Sequence, residues 1–463
     1  MKNQLIILLT CLSIPFTALR ADSNRPNIIL MLADDQGWNG TSVPMHPSIP
    51  DAKNDVYKTP NLEILASQGM RFSAAYAPAP VCSPTRISLQ TGRSPASLHW
   101  TKAAPPEAGH KLIEPTNVKS IAESETTIAE LLRGAGYATA HYGKWHISGG
   151  GPAKHGYDES DGNTGNEEAF KYTDPNPVNI FGMVKSASAF MEKSKKAGKP
   201  FYIQLSWNAL HAAGNANKAT IAKYQNLNLG NEKRIQVAAI TEDLDSGVGA
   251  LMKAIDDLEL SCTTYVIYTS DNGAGGGGSR GALHGGKGDV YEGGIRVPLI
   301  IRGPGVKANS FCHTRIVGYD FLPTFCEWAG ITASKLPKNV EGGSLVKLIA
   351  TGQGEVKRPR EGLVFHFPHY QGNSPHSAII VGDLKLIKFY EDNHVVLFDL
   401  SKDSREQTDL SKKLPERTAM LEKQLSEYLK FVNAQMPSSN PKYDPKAPVP
   451  ARKKGGKNDK DSE

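Results

Sequence analysis

At 463 residues the chain is long enough for a large core and for two packed units rather than one, and its 39% hydrophobic and 22% charged residues are those of a globular protein. The net charge of +6 does not describe a basic groove, because after Met436 seven Lys or Arg stand against four Asp or Glu, a surplus of three in a Pro-, Lys- and Gly-rich segment. Residues 437–463 offer little to bury and are expected to be disordered and solvated. With no nucleic-acid motif, no nucleic-acid partner is expected, and beyond the start of the chain no apolar run approaches a membrane span.

Residues 1–21 join Lys2 to apolar stretches Leu5–Leu9 and Cys11–Ala18 and end in small residues, the pattern of a secretory signal peptide. The expected product is exported, periplasmic or secreted. Removing this leader leaves Cys82, Cys262, Cys312 and Cys326, none closely spaced like metal ligands; if Cys82 stays reactive, Cys312 and Cys326 are a pair that could bridge.

Asn27–Ala33 (NIILMLA) is a continuous apolar run of strand length, as in the middle of a covered parallel sheet, and it stops at Asp34-Asp35-Gln36-Gly37. Two carboxylates at a strand exit are costly unless something positive sits there. A helix is expected over about Thr59–Gln68, then a strand over Arg71–Tyr76. Next comes Cys82–Arg93 (CSPTRISLQTGR), where Pro78, Pro80 and Pro84 stiffen a turn at Cys82, and a helix over Arg86–Thr91 closes at Gly92. The same residues are also compatible with a buried cysteine beside a Pro-rich turn.

A helix over Ile128–Arg133 and a strand over Tyr137–Tyr142 lead to Gly143-Lys144-Trp145-His146, where an extended chain puts Lys144 and His146 on one side. A solvated lysine and a bystander histidine are the alternative. Strand Phe201–Trp207 releases Asn208-Ala209-Leu210-His211; the return helix Glu232–Leu260 carries Gly247 and Gly249, where it could break. Strand Thr263–Ser270 ends in Asp271-Asn272-Gly273, followed by a Gly-rich loop with Lys287 in GGKGDVYEGGIRVP and a short strand over Ile295–Ile301.

Repeated strand-then-helix units predict an α/β/α sandwich with a mainly parallel sheet over residues 22–360. Residues 361–436 change pattern: short strands Leu363–Phe367, Ser377–Val381, Leu384–Phe389 and Val395–Leu400, then a helix over Glu416–Val432, predict a smaller antiparallel α+β domain.

Asp34, Asp35, Asp271 and Asn272 are hard oxygen donors at strand exits, suited to Ca²⁺, with Mg²⁺ as the alternative. Lys144, Lys287, Arg86, His146 and His211 would ring them with positive charge, a pocket for a small tetrahedral oxyanion. A soft Cys82 thiol is the wrong ligand there unless its side chain becomes an oxygen species.

CSPTRISLQTGR resembles, position by position, the signature of the type I sulfatases of the alkaline-phosphatase-like superfamily, whose cysteine is oxidised to formylglycine (3-oxoalanine). LADDQG (Leu32–Gly37), GKWH (Gly143–His146), SDNG (Ser270–Gly273) and GGKGDVYEGGIRVP (Gly285–Pro298) match the same family in the same order. The resemblance implies a sulfuric ester hydrolase matured by a formylglycine-generating enzyme. In it, one hydroxyl of the formylglycine-82 hydrate, held by a divalent cation on Asp34, Asp35, residue 82, Asp271 and Asn272, attacks sulfur beside Arg86. Lys144 and Lys287 neutralise the sulfate oxygens, His211 protonates the leaving alcohol, and His146 takes the proton that lets sulfate depart. His211 departs from the family's usual Pro-His-x-Pro setting, lying in Leu210-His211-Ala212-Ala213.

His366, His369 and His376, with Tyr370 and Asn373, suit either a sugar-binding rim or a polar domain interface. The family's exported members favour an end-acting sulfatase of sulfated carbohydrate. A phosphoester or phosphonate hydrolase of the same superfamily is the nearest rival, and a non-catalytic binder of sulfated glycans a more distant one.

Overall fold

The computed structural model describes residues 25–447 apart from 228, 276, 277 and 280. The expected leader 1–21 therefore lies outside the described residues, as does most of the expected basic tail.

The central sheet is built from β1 (Asn27–Ala33), β2 (Met70–Phe72), β3 (Ala138–Gly143), β4 (Glu159–Ser160), β5 (Phe201–Ser206), β6 (Thr264–Ser270), β7 (Leu299–Arg302) and β8 (Ser310–Cys312). Their spatial order is β8-β2-β7-β6-β1-β5-β3-β4, and only β7 runs against its neighbours. β1 lies between β5 and β6, so its exit is flanked by the exits of two parallel partners. Ala33 pairs with Ser270, and Leu32 with Ser206, which brings Asp34, Asp271 and the chain toward His211 to one edge.

All seven residues of β1 are buried. Alternation sends Ile29, Met31 and Ala33 into the core shared with the helices Ile180–Lys196 and Glu232–Asp257; Ile28, Leu30 and Leu32 go to the opposite core, with Ile87, Leu132 and Phe325. Two covered faces are why the strand reads as unbroken apolar sequence. The long helix Glu232–Asp257 does not break at Gly247 or Gly249. A Cβ on Gly247 would come within 2.4 Å of Ile180 Cγ2, and one on Gly249 within 2.4 Å of Asn61 Oδ1, so both glycines permit close packing against neighbouring elements.

The sequence expectation of one strand over Arg71–Tyr76 is corrected to two short pieces, β2 and Ala75–Tyr76, and that of a strand over Ile295–Ile301 to a helical turn Glu292–Ile295 followed by β7. Cys312 and Cys326 do not bridge: both are buried free thiols, on β8 and on the helix Phe321–Trp328.

The C-terminal unit is a four-stranded antiparallel sheet, β9 (Leu363–Phe367), β10 (His376–Val381), β11 (Leu384–Phe389) and β12 (Val395–Asp399). One face packs Val364, Ile379, Leu386 and Leu397 on Leu421, Leu425 and Leu429 of the helix Pro415–Phe431. The other packs Phe365, Phe367, Ala378 and Ile387 on Tyr76, Val290, Ile295 and Tyr319 of the larger unit. The segment expected to be free from residue 437 is corrected in its first part: Ser438–Ser439 pairs with Leu112–Ile113, and the Asn440 amide donates to the Lys111 carbonyl at 3.0 Å. No helix among the described residues is long and apolar enough to cross a membrane.

Candidate active site

The helix of the CSPTR stretch begins at Cys82 itself and runs to Thr91, not from Arg86 as its prolines suggested. Val81 is extended (φ −149°, ψ 158°), and Pro84 falls in the first turn, where a missing N–H costs no helical bond. Residue 82 thus stands at a helix N-terminus, the end that favours negative charge. Gly92 closes the helix at φ 67°.

Cys82 Sγ lies 3.4 Å from Asp34 Oδ1 and 3.9 Å from Asp35 Oδ1, and Lys287 Nζ approaches it at 3.3 Å. Lys144 Nζ sits 2.5 Å from Asp34 Oδ2, and Lys287 Nζ 2.6 Å from Asp35 Oδ1. Arg86 donates Nε and Nη2 to Asp271 Oδ2 at 3.0 and 2.8 Å, and Nη1 to the Lys144 carbonyl at 2.5 Å. Asp271 Oδ1 accepts the Asp35 N–H at 3.2 Å. His211 Nδ1 stands 3.2 Å from Asp35 Oδ2 and 3.6 Å from Asp34 Oδ1.

Backbone pairing fixes the strand exits to one another. Asp34 N–H donates to the Ala209 carbonyl and Leu210 N–H to the Asp34 carbonyl, at 2.8 and 2.7 Å. These bonds, with the two carboxylates, give His211 the support that its Leu-His-Ala-Ala context lacks. Asp35 (φ 65°) and His146 (φ 59°) occupy the left-handed region, which Asp and His enter more readily than most residues. The chain at His146 is therefore not extended, so the shared-side argument for Lys144 and His146 does not hold as stated. Lys144 reaches Asp34, while His146 places Nδ1 3.2 Å from Ser83 Oγ, next to residue 82. The Gly-rich loop comes close because it lacks side chains: a Cβ on Gly275 would fall 2.7 Å from Asp35 Oδ2.

Burial opposes charge on Asp34 and Asp35, yet Lys144 holds Asp34 well below the usual carboxylate range, and Lys287 helps hold Asp35 at about 2. Burial likewise opposes charge on His211, but Asp34 and Asp35 raise the ring to about 11, so it carries a proton. His146 goes the other way: burial first, then Lys144 and Arg86, push it well below the ordinary histidine range. Burial raises the Cys82 thiol, and Asp271 and Asp34 add to this, so the unmodified side chain is a neutral thiol and a weak nucleophile.

Asp34, Asp35, Cys82 and His211 each offer one donor atom within 4.8 Å of the others. Asn272 donates Nδ2 to Asp35 Oδ1 at 2.8 Å, but its buried Oδ1 has no hydrogen-bond partner. An orphaned amide oxygen beside carboxylates is what a hard divalent cation would satisfy, so the residues present fit such an ion.

His366, His369 and His376 are not at this site. All three are buried: His366 bonds Ser377 and the Gln435 carbonyl, His369 bonds Glu114 and Thr101, and His376 Nε2 accepts the Val290 N–H. The rim expectation is corrected, since His369 and His376 bond across to the larger unit and His366 bonds within the small one. The sequence reading missed Ser83 and Phe170. Ser83 was signalled only by adjacency to Cys82; Phe170, whose ring lies 6.5 Å from that of His211, is 41 residues away along the chain and had no local signal.

A family model described as Sulfatase matches residues 26–331, and a second, N-sulphoglucosamine sulphohydrolase C-terminal, matches residues 285–435. The chain is 29% identical to N-acetylgalactosamine-6-sulfatase of Sus scrofa over 77% of this chain and 70% of that protein. It is 28% identical to a sulfatase of Formosa agariphila over 87% of both. Among solved structures, Ps i-CgsB in complex with k-i-k-neocarrahexaose superposes with a TM-score of 0.74 at 24% identity, covering 88% of this chain and 93% of that one. BT4656 in complex with D-glucosamine-2-N,6-O-disulfate gives 0.68 at 20%, covering 88% and 98%. These two likenesses establish the shared fold.

Proposed function

The chain belongs to the sulfatase family and is a sulfuric ester hydrolase; on that premise we propose that it removes sulfate from sulfated carbohydrate, end-acting, by way of formylglycine at position 82. The observation that carries this reading is the meeting of Cys82, Asp34, Asp35 and His211 within one small volume, with Lys287 3.3 Å from the sulfur and an unpartnered Asn272 oxygen alongside.

Asp34, Asp35, Asp271 and Asn272 would hold the cation, Ca²⁺ on this hard donor set; when bound it supplies Lewis-acid polarisation of oxygens at residue 82 and sulfate. Formylglycine at position 82 would supply, as its hydrate, two hydroxyls on one carbon, a nucleophile toward sulfur and a second hydroxyl whose proton His146 is placed to accept.

The remaining chemistry belongs to the protein's own side chains. Three carboxylates face Arg86, Lys144 and Lys287, with His211 in addition, so a dication would leave the pocket positive toward an anionic ester. Lys144 and Lys287 stand where they can share their charge with sulfate oxygens, without reorganisation at the moment of reaction. His211, held protonated by two carboxylates, donates to the departing alcohol oxygen. His146, kept neutral beside Ser83, accepts the proton released at residue 82.

Export to the periplasm or medium and conversion by a formylglycine-generating enzyme belong to this proposal. Peptide mass across residue 82 tests it: active protein is expected to be about 18 Da lighter than the cysteine form, with Cys82→Ala inactive on an aryl sulfate. Full activity from an unmodified thiol would overturn the nucleophile, and equal or faster turnover of the matching aryl phosphate would overturn the choice of ester.

A further inference from the structure

Phe170 keeps 67% of its surface exposed, the most of any large apolar side chain among the described residues. It lies beside the site, its ring centre 6.5 Å from that of His211 and the two rings nearly perpendicular at 84°. A single exposed phenylalanine needs no explanation on a loose turn. The segment that carries this one is fixed to the catalytic strand exits.

Asp161 Oδ2 accepts the Gly143 N–H at 2.7 Å, and Thr164 Oγ1 donates to the Gly143 carbonyl at 2.5 Å. The Thr164 carbonyl accepts the His146 N–H at 2.9 Å, and Asn208 Nδ2 donates to the Gly165 carbonyl at 3.1 Å. Asn215 Nδ2 bonds the carbonyl of buried Ala169. The same segment walls a cavity of about 310 Å³ whose polar groups include Asp161, Glu168, Lys171, Asn176 and Asn208. That volume is at the small end of ligand pockets.

We propose that Phe170 is the stacking platform for the sugar ring whose sulfate ester is cleaved, with the adjoining cavity taking that ring's hydroxyls. This rests on the sulfated-carbohydrate reading above. A pyranose has an apolar C–H face and a polar edge, and an exposed aromatic next to a wall of amides and carboxylates complements both. The wall's charges refine the class. Lys171 is paired with Glu168 at 2.7 Å, the Asn176 amide is held by Asn179, Phe181 and Gly182, and Asn208 Nδ2 by Gly165. This leaves Asp161 Oδ1 and Asn208 Oδ1 as acceptors, so this side suits hydroxyls and disfavours a second sulfate or a uronate.

The test compares wild type, Phe170→Ala and Phe170→Trp on singly sulfated hexoses and hexosamines carrying the ester at each position, with inorganic sulfate as competitor and an aryl sulfate as reference. Phe170→Ala is expected to raise KM for the accepted sugar about tenfold, with kcat and the inhibition constant of inorganic sulfate within about twofold of wild type. Phe170→Trp is expected to restore KM. An unchanged KM in Phe170→Ala, or a parallel loss of inorganic sulfate binding, would overturn the platform while leaving the sulfatase reading intact. A wild type that hydrolyses the aryl sulfate and no sugar would overturn the carbohydrate reading and this proposal with it.

Discussion

Two of the clusters of opposite charge that the molecule buries are built to different ends. At the strand exits, Asp34, Asp35 and Asp271 meet Arg86, Lys144, Lys287 and His211, with the neutral Cys82 thiol and an unpartnered Asn272 oxygen among them. At the domain interface, Lys385 Nζ lies 3.0 Å from Glu292 Oε1 and 2.7 Å from Glu406 Oε1; Glu292 also meets Arg296 at 3.3 Å and Tyr76 at 3.1 Å. Each charge of the interface cluster has an opposite partner, and it sits on the segment just after Lys287. The strand-exit cluster keeps, beside its ion pairs, an Asn272 oxygen with no hydrogen-bond partner. Buried charge therefore carries two messages in one chain: a closed network fixes how the small domain holds the loop after Lys287, and an open one offers the donors and positive groups that a divalent cation and an anionic ester would satisfy.

Removing a carboxylate from the open cluster should affect chemistry far more than folding. Asp35→Ala is expected to lower kcat/KM on the order of 10³-fold and to abolish retention of the divalent cation measured by elemental analysis, while the thermal midpoint of the metal-free protein changes little. A variant that keeps both the metal and wild-type turnover would remove Asp35 from the site. The closed cluster should respond in the opposite way. Lys385→Met leaves Glu406 without a counter-charge in the interior and Glu292 with Arg296 alone, so denaturant unfolding should show a loss of about 3–5 kcal/mol. Turnover per folded molecule should fall much less than in Asp35→Ala; equal losses in both would erase the distinction.

Much of the open cluster was legible because several members sit just after an apolar strand, and strand exits in a parallel sheet share an edge. Asp34, Asp35, Asp271, Asn272 and the GKWH segment follow that rule, whereas Arg86 lies on the Cys82 helix and Lys287 in the Gly-rich loop, 17 residues beyond Ser270. The closed cluster was not legible: Glu292, Lys385 and Glu406 come from a turn, a strand and a loop as much as 114 residues apart, and they meet only because one sheet face docks on the other unit. His366, His369 and His376 misled for a related reason. Polar rings near a domain boundary look the same in sequence whether they face a ligand or the protein interior, and here burial decides for the interior. Phe170 was hidden because nothing near it in the chain indicates that residues 161–171 fold back on the exits of β3 and β5.

The closed cluster also has a pH signature that the open one should not share once its cation is bound. Burial pushes the Glu406 carboxyl up to about 7, with Glu292 adding to the shift and Lys385 opposing it. A folded-state value above the unfolded one means the fold holds a proton that the unfolded chain has already released. Stability from this group is therefore present below about 4.5, falls as the pH rises from there to about 7, and stays flat above. Glu292, held below its ordinary value, acts in the opposite sense only under more acid conditions. Glu406→Gln keeps an oxygen for the Glu292 N–H, which Glu406 Oε2 accepts at 2.7 Å, and removes the titration. Thermal unfolding of wild type and variant, each measured at pH 5 and pH 8, should give a midpoint difference that shifts in the variant's favour by on the order of 2 °C between the two. Because other buried carboxylates titrate alike in both proteins, the difference isolates Glu406, and parallel curves would mean that its proton is the same in the folded and unfolded chains.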